Sequence, residues 1–267
     1  MTAKAAQESR SLDELFDMAV SRPLGRGFAR AVSATPLTAN HVSIMAGLCG
    51  VMAGVCFAMP WPYPSLGGAW MTAFIILDCA DGELARIKGG GGWRGRMIDG
   101  WSDVITAFAT HLGMVLYLSR QQVDVVGFVP PFIGVFVLGC IAGASHSWNS
   151  GVLDAMKQSL KESSVDRERT KIVCDANGLV DRILWWSFQF YVSRLDYSRH
   201  ADYGVFRRVQ WVGPTHHAVL MVLSSCLVGI WPHAFYGYFL FSIVPMNLYL
   251  AAVLWHARRT QSGALVA

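Results

Sequence analysis

Four aspartates fall in two short clusters. The first reads Leu77-Asp78-Cys79-Ala80-Asp81-Gly82-Glu83-Leu84-Ala85-Arg86, and the second, after Ile87 to Arg94, reads Gly95-Arg96-Met97-Ile98-Asp99-Gly100-Trp101-Ser102-Asp103. On a helix, Asp78, Asp81, Gly82 and Ala85 share one face, and so do Gly95, Asp99 and Asp103. Two such helices joined by a short loop are antiparallel neighbours, so the four carboxylates can converge. Anions this close repel unless cations join them. All-oxygen ligands select hard divalent ions, Mg²⁺ first and Mn²⁺ or Ca²⁺ next. Four carboxylates suit two such ions, and paired ions suit phosphoryl transfer. Gly82, Ala85 and Gly95 leave the face without bulk, so a phosphate-bearing ligand can approach the backbone. Arg86 can clamp a phosphate with two parallel hydrogen bonds. Helix-end acids in water would explain one or two aspartates, but not four on two matched faces.

The elements that must hold this cluster are apolar. Of the 267 residues, 53% are hydrophobic and only 15% charged, against about 25% charged in soluble domains. Disorder, a coiled coil and a basic nucleic-acid-binding domain are excluded. No Asp, Glu, Lys or Arg occurs from Ala31 to Leu77, Val104 to Ser119, Val125 to Leu153, or Val209 to Ala257. These runs predict six membrane-spanning helices, near 41–59, 66–85, 96–118, 126–147, 214–231 and 234–257, each of about 20 residues. With the N-terminus inside, Arg120 alone of the 22 basic residues lies outside, which places both termini and the aspartates on the cytoplasmic side. The fold class is therefore an all-α polytopic membrane protein. Residues 1–36 form a cytoplasmic N-terminus and 37–260 the catalytic domain, with a cytoplasmic insertion over about 150–210.

No signal peptide is expected, because residues 1–30 carry scattered charges and no apolar core. Ser11-Leu12-Asp13-Glu14 reads as a capping box. Leu12, Leu15, Phe16 and Val20 follow at helical spacing, and Pro23 interrupts. A second stretch sets Leu24, Phe28 and Val32 against Arg22, Arg26 and Arg30. This predicts an amphipathic helix lying on the cytoplasmic leaflet. The insertion carries an aromatic run, Trp185, Trp186, Phe188, Phe190 and Tyr191, suited to the membrane surface or to a small packed cap. The cysteines have no metal-ligand spacing and read as apolar packers. Gly89 to Gly92 are either a flap over a nucleotide or a loose turn.

The pattern D-x2-D-G-x2-A-R-x8-G-x3-D-x3-D, filled at every fixed position by Asp78, Asp81, Gly82, Ala85, Arg86, Gly95, Asp99 and Asp103, resembles the signature of the CDP-alcohol phosphotransferases. The resemblance implies that Asp78 and Asp99 bridge two divalent ions, that Asp81 and Asp103 each bind one, and that Asp103 also takes the proton from the acceptor hydroxyl. It assigns Gly82, Ala85, Arg86 and Gly95 to the CDP moiety. Asn40, within Pro36-Leu37-Thr38-Ala39-Asn40-His41-Val42-Ser43, is implied as a further nucleotide contact, although Ala39 stands where the family often carries Pro. The implied reaction is transfer of a phosphoalcohol group from a CDP-alcohol to a hydroxyl, with release of CMP, in phospholipid biosynthesis.

Acceptor specificity is expected from residues near the same end of the bundle: Ser145, His146, Arg207, Arg208, His216 and His217. CDP-diacylglycerol with a polar alcohol is the first choice of substrates. Transfer of a CDP-linked head group to a lipid alcohol, or to a soluble polyol phosphate, is the alternative. A cation transporter is the reading from another class, because intramembrane acids also mark ion paths. The acids sit at one membrane edge and no inverted repeat is visible, which argues against it. The expected partners are the two substrates, the lipid bilayer and a second copy of the chain, with no nucleic acid.

Overall fold

The computed structural model describes Glu14 and residues 16–89, 93–125, 127, 129–162, 178–179, 182–183, 186 and 203–264. Among these residues every regular element is helical. The elements are α1 (Arg22–Val32), α2 (Ala39–Ala58), α3 (Tyr63–Ile87), α4 (Trp93–Arg120), α5 (Pro131–Glu162), α6 (Tyr203–Val209), α7 (Pro214–Leu227), α8 (Ala234–Ile243) and α9 (Pro245–Ala264).

Local chemistry sets the boundaries. Pro23 does not break the N-terminal segment as expected. A π-helical turn, Asp17–Ser21, runs straight into α1, and Pro23 falls in the first turn of that helix. There its missing N–H has no helical partner to lose. Ser11, Leu12 and Asp13 lie outside the described residues. Glu14 is turned into the protein, fully buried, with Lys157 Nζ at 3.7 Å and His216 Nδ1 at 3.1 Å. A capping box does form, at the start of α2. Thr38 Oγ1 accepts from the His41 backbone N–H, and His41 Nδ1 accepts from the Thr38 N–H at 3.1 Å. Imidazole here does what Glu or Gln usually does, so a search for the acidic version passes over it. Pro64 and Pro214 start α3 and α7. Gly89, with φ +69°, ends the α3 turn in the left-handed conformation that favours glycine.

Each expected span overlaps a helix with shifted ends, and the last is divided between α8 and α9; among the described residues three stretches meet the length and hydropathy of a membrane span. Ala39–Ala58, Pro131–Asp154 and Ala234–Ala257 are long and apolar enough to cross a membrane. Helices α3 and α4 are longer but carry the charged clusters. Helix α7 has 14 residues, or about 21 Å of rise against a hydrocarbon core of about 30 Å. Helix α5 continues to Glu162, well past the expected end at 147 and into the expected insertion. No helix breaker stands between Ser150 and Glu162 except Gly151, which a lone position tolerates. The aromatics Trp185, Phe188, Phe190 and Tyr191 lie outside the described residues.

Helix α2 packs against both α3 and α4, α3 against α7, and α5 against α4 and α8. The main core includes Phe57, Phe74, Met114, Leu118, Met221, Phe235 and Phe239. A second core joins Leu153, Met156, Phe206, Val209 and Leu250. The α2–α4 contact is backbone-close. A Cβ added at Gly50 would collide with Thr106, and one at Gly54 would collide with Ala109. The outer faces expose Leu48, Met52, Phe108, Phe136, Ile141 and Leu248. That much outward apolar surface needs lipid, not water, against it. The molecule is an integral membrane protein.

Candidate active site

Helices α3 and α4 deliver the aspartates to one place. Carboxylate oxygens of Asp78, Asp99 and Asp103 lie within 4.8 Å of one another. Asp99 is also in hydrogen-bonding reach of Asp81. Asp81 is itself buried and accepts a hydrogen bond from the Ser43 hydroxyl of α2. Ser43 is held in turn by α4, since Ser102 Oγ donates to its carbonyl at 2.9 Å. Three helices thus fix the acidic cluster, and the glycines that let α2 approach α4 make this contact possible. Asp103 is the exposed member of the triad, whereas Asp78 and Asp99 are half-buried. Three oxygen donors at this separation match the ligand chemistry of a hard divalent ion.

The phosphate side of the site lies beside the carboxylates. A Cβ added at Gly82 would meet Arg86 Nη1 at 3.7 Å, and one at Gly95 would meet Asn40 Oδ1 at 3.2 Å. Arg86 therefore stands over Gly82, and Asn40 stands beside Gly95. Glu83 orients the guanidinium: Arg86 Nη2 lies at 3.1 Å from Glu83 Oε1, and Arg26 Nε of α1 at 3.0 Å. Sequence alone left the direction of Glu83 open. Lys88 Nζ donates to the carbonyls of Thr35 and Leu37 at 2.7 and 2.6 Å, which ties the α1–α2 connection to the end of α3. Gly25 brings α1 onto the turn that carries Asp78 and Asp81. A Cβ there would lie 3.0 Å from Ala80 N.

A second wall is built from distant segments. Lys157 of α5 pairs with Glu14, and its positive field reaches Asp17, Asp78 and Asp103. Asp154, one turn earlier on α5, faces Asp103 electrostatically. Asp17 accepts from Thr215 Oγ1 at 2.9 Å. Burial, reinforced by the Glu14 charge, pushes the Asp17 carboxyl up to about 6. Nothing in the sequence pattern placed Glu14, Asp17 or Lys157 beside this site, because their neighbours are far away in the chain. Ser43 carries a weak signal, as the Ser of the Val42-Ser43 pair within the stretch that resembles the family.

The expected acceptor residues divide into separate groups. His146 and His217 come together, stacked at 4.3 Å between ring centroids. His216 is engaged with Glu14. Ser145 Oγ donates to the Ser242 carbonyl at 2.8 Å and accepts from Asn247 Nδ2. Arg207 and Arg208 lie on α6, where their carbonyls accept from Gln210 Nε2 and Tyr249 OH.

The segment that carries these residues is similar in sequence to known proteins. Residues 36–156 match the model of the CDP-alcohol phosphatidyltransferase family. Over 105 residues the chain is 30% identical to a phosphatidylinositol phosphate synthase of Mycobacterium marinum (strain ATCC BAA-535 / M). That alignment covers 39% of this chain and 43% of the relative, so the chain spans less than half the length of the curated protein it matches. All eight fixed motif positions, the three converging carboxylates and the Asn40–Gly95 contact fall inside the matched segment. The likeness to the CDP-alcohol phosphatidyltransferase family is thus carried by residues 36–156, the segment that holds the carboxylates.

Proposed function

We propose that the protein transfers a phosphatidyl group from a CDP-alcohol, CDP-diacylglycerol first, to the hydroxyl of a polar acceptor, and releases CMP. The observation that carries this reading is the convergence of Asp78, Asp99 and Asp103 beside an Arg86 held in place by Glu83. Bound divalent ions, two of them and Mg²⁺ first, would neutralise the diphosphate and the charge that develops on the leaving group. Asp78, Asp81, Asp99 and Asp103 are the residues that would hold them.

The chain's own groups do the rest. Gly82, Ala85 and Gly95 leave room for the diphosphate and ribose, Asn40 reaches the nucleotide beside Gly95, and Arg86 clamps phosphate oxygens. Asp103 faces open space and takes the proton of the acceptor hydroxyl. The acceptor oxygen bonds to the β-phosphorus, the bond from that phosphorus to the bridging oxygen breaks, and CMP leaves with the bridging oxygen. Positioning and charge neutralisation supply most of the acceleration. This reading also takes all six long segments as membrane-crossing, with α1 on the cytoplasmic leaflet, both termini and the site facing the cytoplasm, and the chain paired with a second copy.

The test is CMP release by purified protein from CDP-diacylglycerol against a panel of hydroxyl acceptors, with mass spectrometry of the lipid product. Asp103→Asn is expected to abolish release while CDP-alcohol binding survives. Equal loss of binding and turnover would make Asp103 a ligand only. Cation flux in vesicles without CMP release across the panel would favour a transporter instead.

A further inference from the structure

The connection between α1 and α2 is largely exposed, and it leads straight to Asn40. Its own hydrogen bonds are local. Ser33 Oγ donates to the Arg30 carbonyl at 2.8 Å, Thr35 Oγ1 to the Val32 carbonyl at 2.7 Å, and the Leu37 N–H to Thr35 Oγ1 at 3.3 Å. Side-chain turns of this kind shape a loop but do not fix it to the rest of the fold. Among the described residues, the hydrogen bonds that tie residues 33–38 to a distant part of the chain come from Lys88. Its Nζ donates to the carbonyls of Thr35 and Leu37 at 2.7 and 2.6 Å, 53 and 51 residues away in sequence.

A lysine at a helix C-terminus ordinarily serves its own helix, bonding the last carbonyls or facing the negative end of the dipole. Lys88 ends α3, with its backbone N–H on the Leu84 carbonyl at 2.9 Å, but its ammonium reaches across to another segment. Three donor hydrogens let one side chain hold two carbonyls, and a charged donor makes the stronger bond.

The tie acts on the start of α2. Helix α1 is already fixed to α3 at its other end, where Gly25 lies against the backbone of Ala80 and Arg26 pairs with Glu83 at 3.0 Å. The Leu37 carbonyl belongs to the peptide that enters Thr38, the N-cap residue of α2, whose backbone is extended at φ −96° and ψ 164°. Asn40 follows two residues later, in the first turn, with Oδ1 3.2 Å from the place a Gly95 Cβ would occupy. The first turn of a helix has backbone groups without intrahelical partners, so its placement depends on the segment before it. Asn40 is the nucleotide contact that the family resemblance implies, whereas Lys88 stands outside the eight fixed positions of the motif.

We propose that Lys88 is a positioning residue for the nucleotide. By holding the Thr35 and Leu37 carbonyls it sets the start of α2, and with it Asn40 beside Gly95, where the CDP moiety docks. It acts on the ligand through Asn40 rather than by contact. The proposal rests on the transfer reading for the identity of the ligand, but binding tests it without turnover.

Full-length protein in detergent is titrated with CDP in the presence of Mg²⁺, and donor KM and kcat for CMP release from CDP-diacylglycerol are measured alongside. Lys88→Met keeps the apolar stem and removes the donors. CDP affinity is expected to fall, and donor KM to rise, about tenfold, the size of a lost charge-assisted hydrogen bond, with kcat within about twofold of wild type. Lys88→Arg also carries donors for two carbonyls and is expected to restore CDP affinity to within about threefold. In an Asn40→Ala background, Lys88→Met is expected to cost less than about twofold more, because residues that act as one unit are not additive. Lys88 is exposed, so its replacement leaves the core untouched. Lys88→Gln, which has a shorter reach, is the second probe and carries the same expectation as Lys88→Met.

Wild-type CDP affinity in both Lys88→Met and Lys88→Gln overturns the proposal. So does an equal loss with and without Asn40, which would make Lys88 a direct ligand of the diphosphate, and so does a fall in kcat as large as the rise in donor KM. The expected binding pattern without CMP release sinks the transfer reading and leaves Lys88 in its role. CMP release with an unchanged donor KM in Lys88→Met does the reverse, and a wild type that binds no CDP overturns both.

Discussion

The carboxylate layer and the histidine layer lie about two helical turns apart and solve opposite problems. In the first, like charges are crowded together and need cations, so its polar atoms are over-supplied with negative charge and short of positive partners. In the second, imidazole rings meet in the interior, and among the described residues several polar atoms there have no hydrogen-bond partner. The first layer is built mostly from one hairpin, α3 and α4, with Ser43 of α2 as a brace. The second draws on His111 of α4, His146 and Asn149 of α5, His217 of α7 and Tyr238 of α8. The charged layer thus sits where local sequence holds it rigidly, and the neutral layer sits where distant helices meet.

Three substitutions break or sharpen this contrast, in descending size. Asp78→Ala removes a member of the converging triad. CMP release is expected to fall by more than about a hundredfold, with the Mg²⁺ requirement shifted to higher concentration, since losing a residue that only hydrogen-bonds a metal ligand already costs about 10–100-fold. If Asp78→Ala leaves CMP release and its Mg²⁺ dependence unchanged, the carboxylate layer is not where transfer takes place.

Gly50→Leu tests the scaffold beneath both layers. Its side chain would enter the space of Thr106 on α4. Overpacking of this kind costs about 1–3 kcal/mol, so a melting temperature several degrees lower is expected, with Asp81 loosened from Ser43 and activity reduced. A variant as stable and active as wild type would show that the α2–α4 approach is not needed.

The smallest effect concerns Asp17, on the wall that joins the N-terminal segment to α7. Its carboxyl ionises at about 6 in the folded protein, against 3.8 ordinarily, because burial and Glu14 disfavour the charge. Between those values the folded state holds a proton that the unfolded state has lost, so this residue makes stability fall as pH rises from about 4 to 6. Asp17→Asn should flatten that part of the melting-temperature profile. An unchanged slope would place Asp17 in a more solvated setting than the structure gives it.

Much of the site was legible because the chemistry is periodic. Asp78, Asp81, Asp99 and Asp103 recur at helical spacing on two segments joined by a short loop, and helix geometry then leaves them little choice of direction. The glycines that clear the face follow from the same periodicity. The N-terminal segment was less legible. Pro23 looked like a break, yet it falls where a helix's first turn has no N–H to lose. Glu14 looked like a cap, yet its carboxylate pairs across the fold with Lys157 and His216. Local rules propose one partner for a side chain, and burial chooses another when a stronger ion pair is within reach.

The sequence by itself determined the helical, membrane-embedded class, the four aspartates and the small residues around them, because hydrophobic runs and helical repeats are properties of neighbours in the chain. Only the tertiary structure decided that Ser43 holds Asp81, that Glu83 turns to Arg26 and Arg86, that Lys157 stands near the carboxylates, and that three histidines from three helices meet in the interior. Those contacts join residues far apart along the chain, and packing of whole helices, rather than any local preference, brings them together.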